Sequence, residues 1–92
     1  MICELCERDV ERLTVHHLIP KQKAKQKVAE IPTVTICSAC HKQIHSLFDN
    51  TRLSQELNSL EKLKHEPQMQ KFLSWVKKQD PGKRVRVHRQ RG

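Results

Sequence analysis

The stretch Thr33-Val34-Thr35-Ile36-Cys37-Ser38-Ala39-Cys40-His41-Lys42-Gln43-Ile44-His45-Ser46-Leu47 decides the fold. Thr33 to Ile36 are β-branched and alternate in character, which predicts a strand entered just after Pro32. Ser38 offers a helix N-cap, and residues 39–47 read as a helix with Ile44, Leu47 and Phe48 on its apolar side. Two cysteines sit at the junction of strand and helix, and two histidines follow on the helix.

The same cysteine spacing occurs at the beginning of the chain, as Cys3-Glu4-Leu5-Cys6. Two CxxC knuckles thirty residues apart can each place two sulfurs about 2.3 Å from one Zn²⁺, and together they complete a closed tetrahedral site. Cys3, Cys6, Cys37 and Cys40 are therefore read as ligands of a structural zinc. The alternative is four free or disulfide-bonded thiols. Met1 is followed by Ile2-Cys3-Glu4 rather than by a basic start and an apolar run, so the expectation is a reducing cytoplasm, where clustered cysteines bind metal. Zinc also answers a need for folding energy. Ninety-two residues with only Phe48, Phe72 and Trp75 as aromatics make a thin core, and small domains of this kind require a staple.

Upstream, Arg12-Leu13-Thr14-Val15-His16 alternates and predicts a first strand, ended by Ile19-Pro20. The two strands could pair as an antiparallel hairpin across residues 21–30, a polar loop or frayed helical turn. Downstream, Asp49-Asn50 ends the first helix and can cap the next, expected over 51–64 with Leu53, Leu57, Leu60 and Leu63 as its stripe. Pro67 suits the first turn of a third helix, which carries Met69, Phe72, Leu73 and Val76 on one face and ends near Gln79. These stripes are core and are given no chemistry.

The histidines are the chemically loaded residues. His41 and His45 are four apart, hence on one helix face. His16 and His17 end the first strand, where neighbours point to opposite faces. Cys40-His41 places the zinc knuckle directly beside the helix that carries the pair. His16, His41 and His45 are thus three neutral candidate ligands for a second, open metal site, with His17 as a spare imidazole. Three protein ligands leave positions for water and a phosphate oxygen, as a hydrolytic centre requires. His65 and His88 are left without a role.

The charge fits a polyanion. Eighteen Lys and Arg face ten Asp and Glu, a formal net charge of +8, and neutralising phosphates releases condensed counterions. Lys21, Lys23, Lys25 and Lys27 form one basic segment, and Lys83, Arg84, Arg86, Arg89 and Arg91 a second, acid-free one. No basic amphipathic helix or long apolar run accompanies them, which favours nucleic acid over a membrane.

His16-His17-Leu18-Ile19-Pro20 followed by Cys37-x-x-Cys40-His41-x-x-x-His45 resembles the HNH endonucleases with a ββα-metal core, over residues 3–50. Residues 16–50, continuing through Leu57-Asn58-Ser59-Leu60 to Trp75, also resemble a group of small bacterial HNH proteins labelled YisB-like. The resemblance implies that His16 and His41 are metal ligands and His45 the third. It implies that His17 is the general base that activates water. It implies one catalytic divalent ion (Mg²⁺, Mn²⁺, Ni²⁺ or Zn²⁺), which stabilises the phosphorane-like transition state and the leaving 3′-oxygen. An imidazole suits the role of base near neutral pH. One position departs from the pattern. The family's middle Asn, nine residues before the helix histidine, is Pro32 here. That Asn orients the base, so the role must pass elsewhere, with Asn50 as nearest candidate and a helix cap as its plainer reading.

The expected architecture is α+β, a zinc-stapled ββα-metal motif followed by two C-terminal helices. Residues 1–82 are taken as one nuclease domain, with a core at 3–50, a helical extension at 51–79 and a basic tail at 83–92. The expected function is metal-dependent hydrolysis of DNA with little sequence preference, with RNA left open as a partner. A rival is a non-catalytic zinc module that only binds nucleic acid, marked by Pro32. A third reading is an interaction subunit that docks through its C-terminal helices.

Overall fold

Alternation along the two strands sorts their side chains onto an inner and an outer face. Strand β1 (Thr14–His17) pairs antiparallel with β2 (Thr33–Ile36), in the register Thr14 with Ile36, Val15 with Thr35, His16 with Val34 and His17 with Thr33. His16, Val34 and Ile36 are buried on the inner face, whereas Val15 and Thr35 are exposed on the outer one. This computed structural model describes residues 1–25 and 27–79, so the basic tail at 83–92 lies outside the described residues.

The first strand begins at Thr14 rather than at Arg12. The next ladder hydrogen bonds would have to join Arg12 to Ser38, and Ser38 has already turned into the first helix. The outer edge of β2 is covered by the N-terminal knuckle, where Glu4 N donates to Thr35 O at 3.1 Å and the Glu4 carboxylate accepts from Thr35 N and Oγ1. That contact covers one of the two edges a two-stranded sheet exposes. The loop between the strands is made of turns and one 3₁₀ turn at Val28–Glu30, and Lys21, Lys23, Lys25 and Lys27 are all exposed on it.

Helix α1 (Ser38–Leu47) starts one residue earlier than expected, with Cys37 in the capping position. Its buried face is Ala39, Cys40 and Ile44. Asp49 caps α2 (Asn50–Gln55) by accepting from Arg52 N at 2.8 Å. The single helix expected over 51–64 is two short ones, α2 and α3 (Leu60–His65). The break has a local cause. Asn58 Nδ2 donates to Ser54 O, and Ser59 Oγ accepts from Lys62 N, capping α3. Asn and Ser compete for backbone groups in this way and favour helix ends over interiors. The interruption keeps Leu53, Leu57 and Leu63 buried and leaves Leu60 partly buried at the margin.

Helix α4 (Pro67–Val76) begins as expected, with Pro67 in its first turn and the Glu66 carboxylate accepting from Met69 N at 2.9 Å. Its buried residues are Met69, Phe72, Leu73 and Val76, and it packs against α1 and α3. The result is a small α+β architecture with one continuous core running from the cysteines through Ile36 and Ile44 to Leu53, Met69 and Val76. Among the described residues no helix is long and apolar enough to cross a membrane.

Candidate metal centres and active site

Each CxxC knuckle turns its sulfurs toward the other. Cys3 Sγ lies 3.8 Å from Cys40 Sγ, Cys6 Sγ lies 3.8 Å from Cys37 Sγ, and all four sulfurs fall within 4.8 Å of one another. A disulfide would need about 2.05 Å. A tetrahedron with metal–sulfur bonds of about 2.3 Å has sulfurs about 3.8 Å apart. The spacing therefore fits a zinc ion and rejects disulfides. All four cysteines are buried. The first knuckle closes through a tight turn in which Cys6 N donates to Cys3 Sγ and Glu7 N to Cys3 O, with Glu7 in the left-handed region at φ 64°.

Arg8 completes this site, and the sequence reading missed it. Its buried guanidinium donates from Nε to Cys6 Sγ at 3.4 Å and from Nη2 to Cys37 Sγ at 3.6 Å. Contacts with Cys3 hold both Cys6 and Cys37 below the ordinary thiol range, Cys37 at about 6, and Arg8 adds to the effect at Cys6. The thiol contacts also push Cys3 and Cys40 up. Four thiols packed this closely can all ionise only around a cation. The donor set is consistent with structural zinc.

The second cluster joins the strand to the helix. His16 is fully buried on the inner face of β1, and His41 and His45 project from successive turns of α1. Ring centroids are 5.3 Å apart for His16–His41, 5.4 Å for His16–His45 and 5.0 Å for His41–His45, and one ring nitrogen of each lies within 4.8 Å of the others. Burial and the neighbouring imidazoles lower His16 to about 4. Burial also lowers His41 and His45, with His45 and His17 adding to the effect at His41. Neutral imidazoles keep the lone pairs that bind metal. His16 Nε2 is buried with no hydrogen-bond partner, and an orphan of this kind costs stability unless something satisfies it. A divalent ion held by His16, His41 and His45 would satisfy that atom. His41 is half-buried and His45 exposed, so the cluster opens to solvent on one side.

His17 stands apart from the three. It ends β1 on the opposite face to His16, half-buried, and lies close enough for its charge to act on His16 and His41. The chain just after it is tied down by Leu18 N donating to Pro32 O at 2.9 Å. The residue at the departing family position thus braces this strand end through its carbonyl. Asn50 makes no hydrogen bond to a histidine among the described residues. It opens α2, and its side chain donates to Gln22 Oε1 at 3.4 Å, linking that helix to the lysine loop. His65 sits on the surface of α3, bonded to its own helix at Glu61 O. Thr14, which the sequence places only in the first strand, contacts His41 Nδ1 through Oγ1 at 2.9 Å.

The family model described as HNH endonuclease matches residues 3–47, the span that holds both clusters. The chain is also 41% identical over 86 residues to a Bacillus subtilis (strain 168) protein described as uncharacterized protein YisB, covering 94% of this chain and 83% of that one. No solved structure matches.

Proposed function

The chain belongs to the HNH endonuclease family, and we propose that it is a metal-dependent endonuclease that hydrolyses DNA phosphodiester bonds with His17 as general base. The observation that carries this reading is the division of labour among four imidazoles. Three converge with an unpartnered buried Nε2, while the fourth remains outside the set at a braced strand end. A divalent ion held by His16, His41 and His45 would supply the Lewis acidity that offsets charge on the phosphate. His17 accepts a proton from the attacking water as the new oxygen–phosphorus bond forms. The bond to the 3′-oxygen breaks, leaving 5′-phosphate and 3′-hydroxyl ends.

Binding is assigned to the basic surface. Exposed Lys21, Lys23, Lys25 and Lys27 lie on the loop between the strands that carry and brace His17, and the tail adds five more cations at 83–91. Contacts to phosphates position a protein without reading bases, so we assign little sequence preference. Residues 1–82 act as one domain on this reading, with the cysteine zinc structural and the tail an electrostatic arm.

The test is cleavage of supercoiled plasmid with and without Mg²⁺, Mn²⁺ or Ni²⁺, beside His17→Ala prepared identically. Ion-dependent nicking should fall by about 10²- to 10⁴-fold in the variant, the usual contribution of a general base. If neither protein cuts while both shift DNA in a gel, the chain is a nucleic-acid-binding zinc module instead.

A further inference from the structure

Strand β1 supplies His16 to the histidine cluster and, two residues earlier on the same face, it supplies Thr14. The Thr14 hydroxyl has two close neighbours. Its Oγ1 lies 3.0 Å from Ile36 O, the carbonyl of its cross-strand partner, and 2.9 Å from His41 Nδ1. A hydroxyl has one proton and two lone pairs, whereas a carbonyl oxygen can only accept. The proton must therefore go to Ile36 O, because the opposite rotation would leave two acceptor oxygens facing each other at 3.0 Å. Toward His41 the hydroxyl then offers only a lone pair, so Nδ1 carries the hydrogen and donates. A neutral imidazole has one N–H, which leaves Nε2 bare.

We propose that Thr14 is a positioning residue that fixes His41 as its Nδ1–H tautomer and presents Nε2 as the ligand atom. This rests on the reading that His16, His41 and His45 hold a divalent ion. The hydrogen bond removes one of two candidate donor atoms and sets the ring angle, as outer partners of metal-bound histidines do. The brace is itself anchored to β2, so the ligand on α1 is aligned to the same hairpin that carries His16. A histidine on a helix turn would otherwise choose between tautomers and rotate freely about its side-chain bonds.

The experiment is long-range ¹⁵N–¹H correlation on histidine-labelled protein carrying one zinc per chain, at neutral pH, with His41 assigned by its loss in His41→Gln. Wild type should show His41 protonated at Nδ1 and bare at Nε2. Thr14→Val, which keeps the shape, should abolish that preference, and Thr14→Ser should restore it. Titration with Ni²⁺ or Co²⁺ should give a Kd about 10- to 100-fold weaker in Thr14→Val and near wild type in Thr14→Ser. A wild-type His41 protonated at Nε2 overturns the assignment whatever the metal does, and needs no variant to fold. The expected tautomer together with no ion bound in wild type would instead overturn the metal reading, and with it Thr14's role toward a ligand. Weakened metal binding in Thr14→Val with an unchanged tautomer overturns the proposed mechanism.

Discussion

The cysteine and histidine clusters meet at adjacent residues, Cys40 and His41 of α1, yet they are built on opposite principles. The first gathers four buried thiols from two knuckles, fills a tetrahedron, and sets the Arg8 cation against two of its sulfurs. The second gathers three imidazoles whose burial grades from complete at His16 to exposed at His45, and its outer partner is the neutral Thr14. Charge explains the contrast. Four thiolates around a divalent ion leave an excess negative charge that repels phosphate and calls for a cation close by. Three neutral imidazoles would leave the full charge of a bound ion available to an anionic substrate, and their open side would give it room. One design suits holding a fold together, the other suits chemistry.

The largest effect is expected at Cys37→Ser. Structural zinc contributes on the order of 10–16 kcal/mol in small modules, against about 5–15 kcal/mol for the net stability of an ordinary domain. The expected result is loss of the bound zinc and of the cooperative thermal transition. An unchanged melting curve with zinc absent would remove the structural role.

An acid titration sharpens the difference from the other side. His16 is held at about 4 against an ordinary 6.5, so between those values the unfolded chain binds the proton that the folded chain refuses. Stability tied to neutral His16 is complete above pH 6.5 and is lost as pH falls through 4, roughly 3 kcal/mol in all. Denaturant unfolding of wild type and His16→Gln at pH 7 and 4.5 isolates this contribution, because acid release of zinc from the thiols is common to both proteins. The variant should lose less stability on acidification, and equal losses would show that burial of His16 exacts no such penalty.

The smallest effect is expected at Arg8→Leu. Removing the two N–H donors to sulfur should speed zinc transfer to a chromogenic chelator by about ten-fold or somewhat more, with the fold retained while zinc is bound. A release rate equal to wild type would make the guanidinium a packing residue, and the charge contrast between the clusters would lose its support.

Much of this was legible in order along the chain. The span of β2, the starts of α1 and α4 to within a residue, the buried face of α4 and the convergence of four cysteines and of three histidines follow from spacing. Periodicity encodes these features, because a helix brings residues four apart onto one face and a strand sends neighbours to opposite sides. The separation of His16 from His17 follows from the same rule. The break between α2 and α3 was readable in principle from Asn58-Ser59, but the leucine stripe outweighed it, since a stripe marks the buried side and does not require one unbroken helix.

By itself, the sequence determined which residues could be ligands, because ligand chemistry belongs to the side chain and local spacing to the backbone. Tertiary structure alone decided what stands behind those ligands. Arg8 reads as one more surface cation and Thr14 as one more strand residue until the fold brings Cys37 to the first and His41 and Ile36 to the second. The Asn50 contact with Gln22 is equally invisible until α2 and the lysine loop come together. These partners lie 27 to 29 residues away along the chain for Thr14–His41, Asn50–Gln22 and Arg8–Cys37. Hydrogen bonds act over about 3 Å, so no local pattern can specify such pairs before the hairpin and helix have closed.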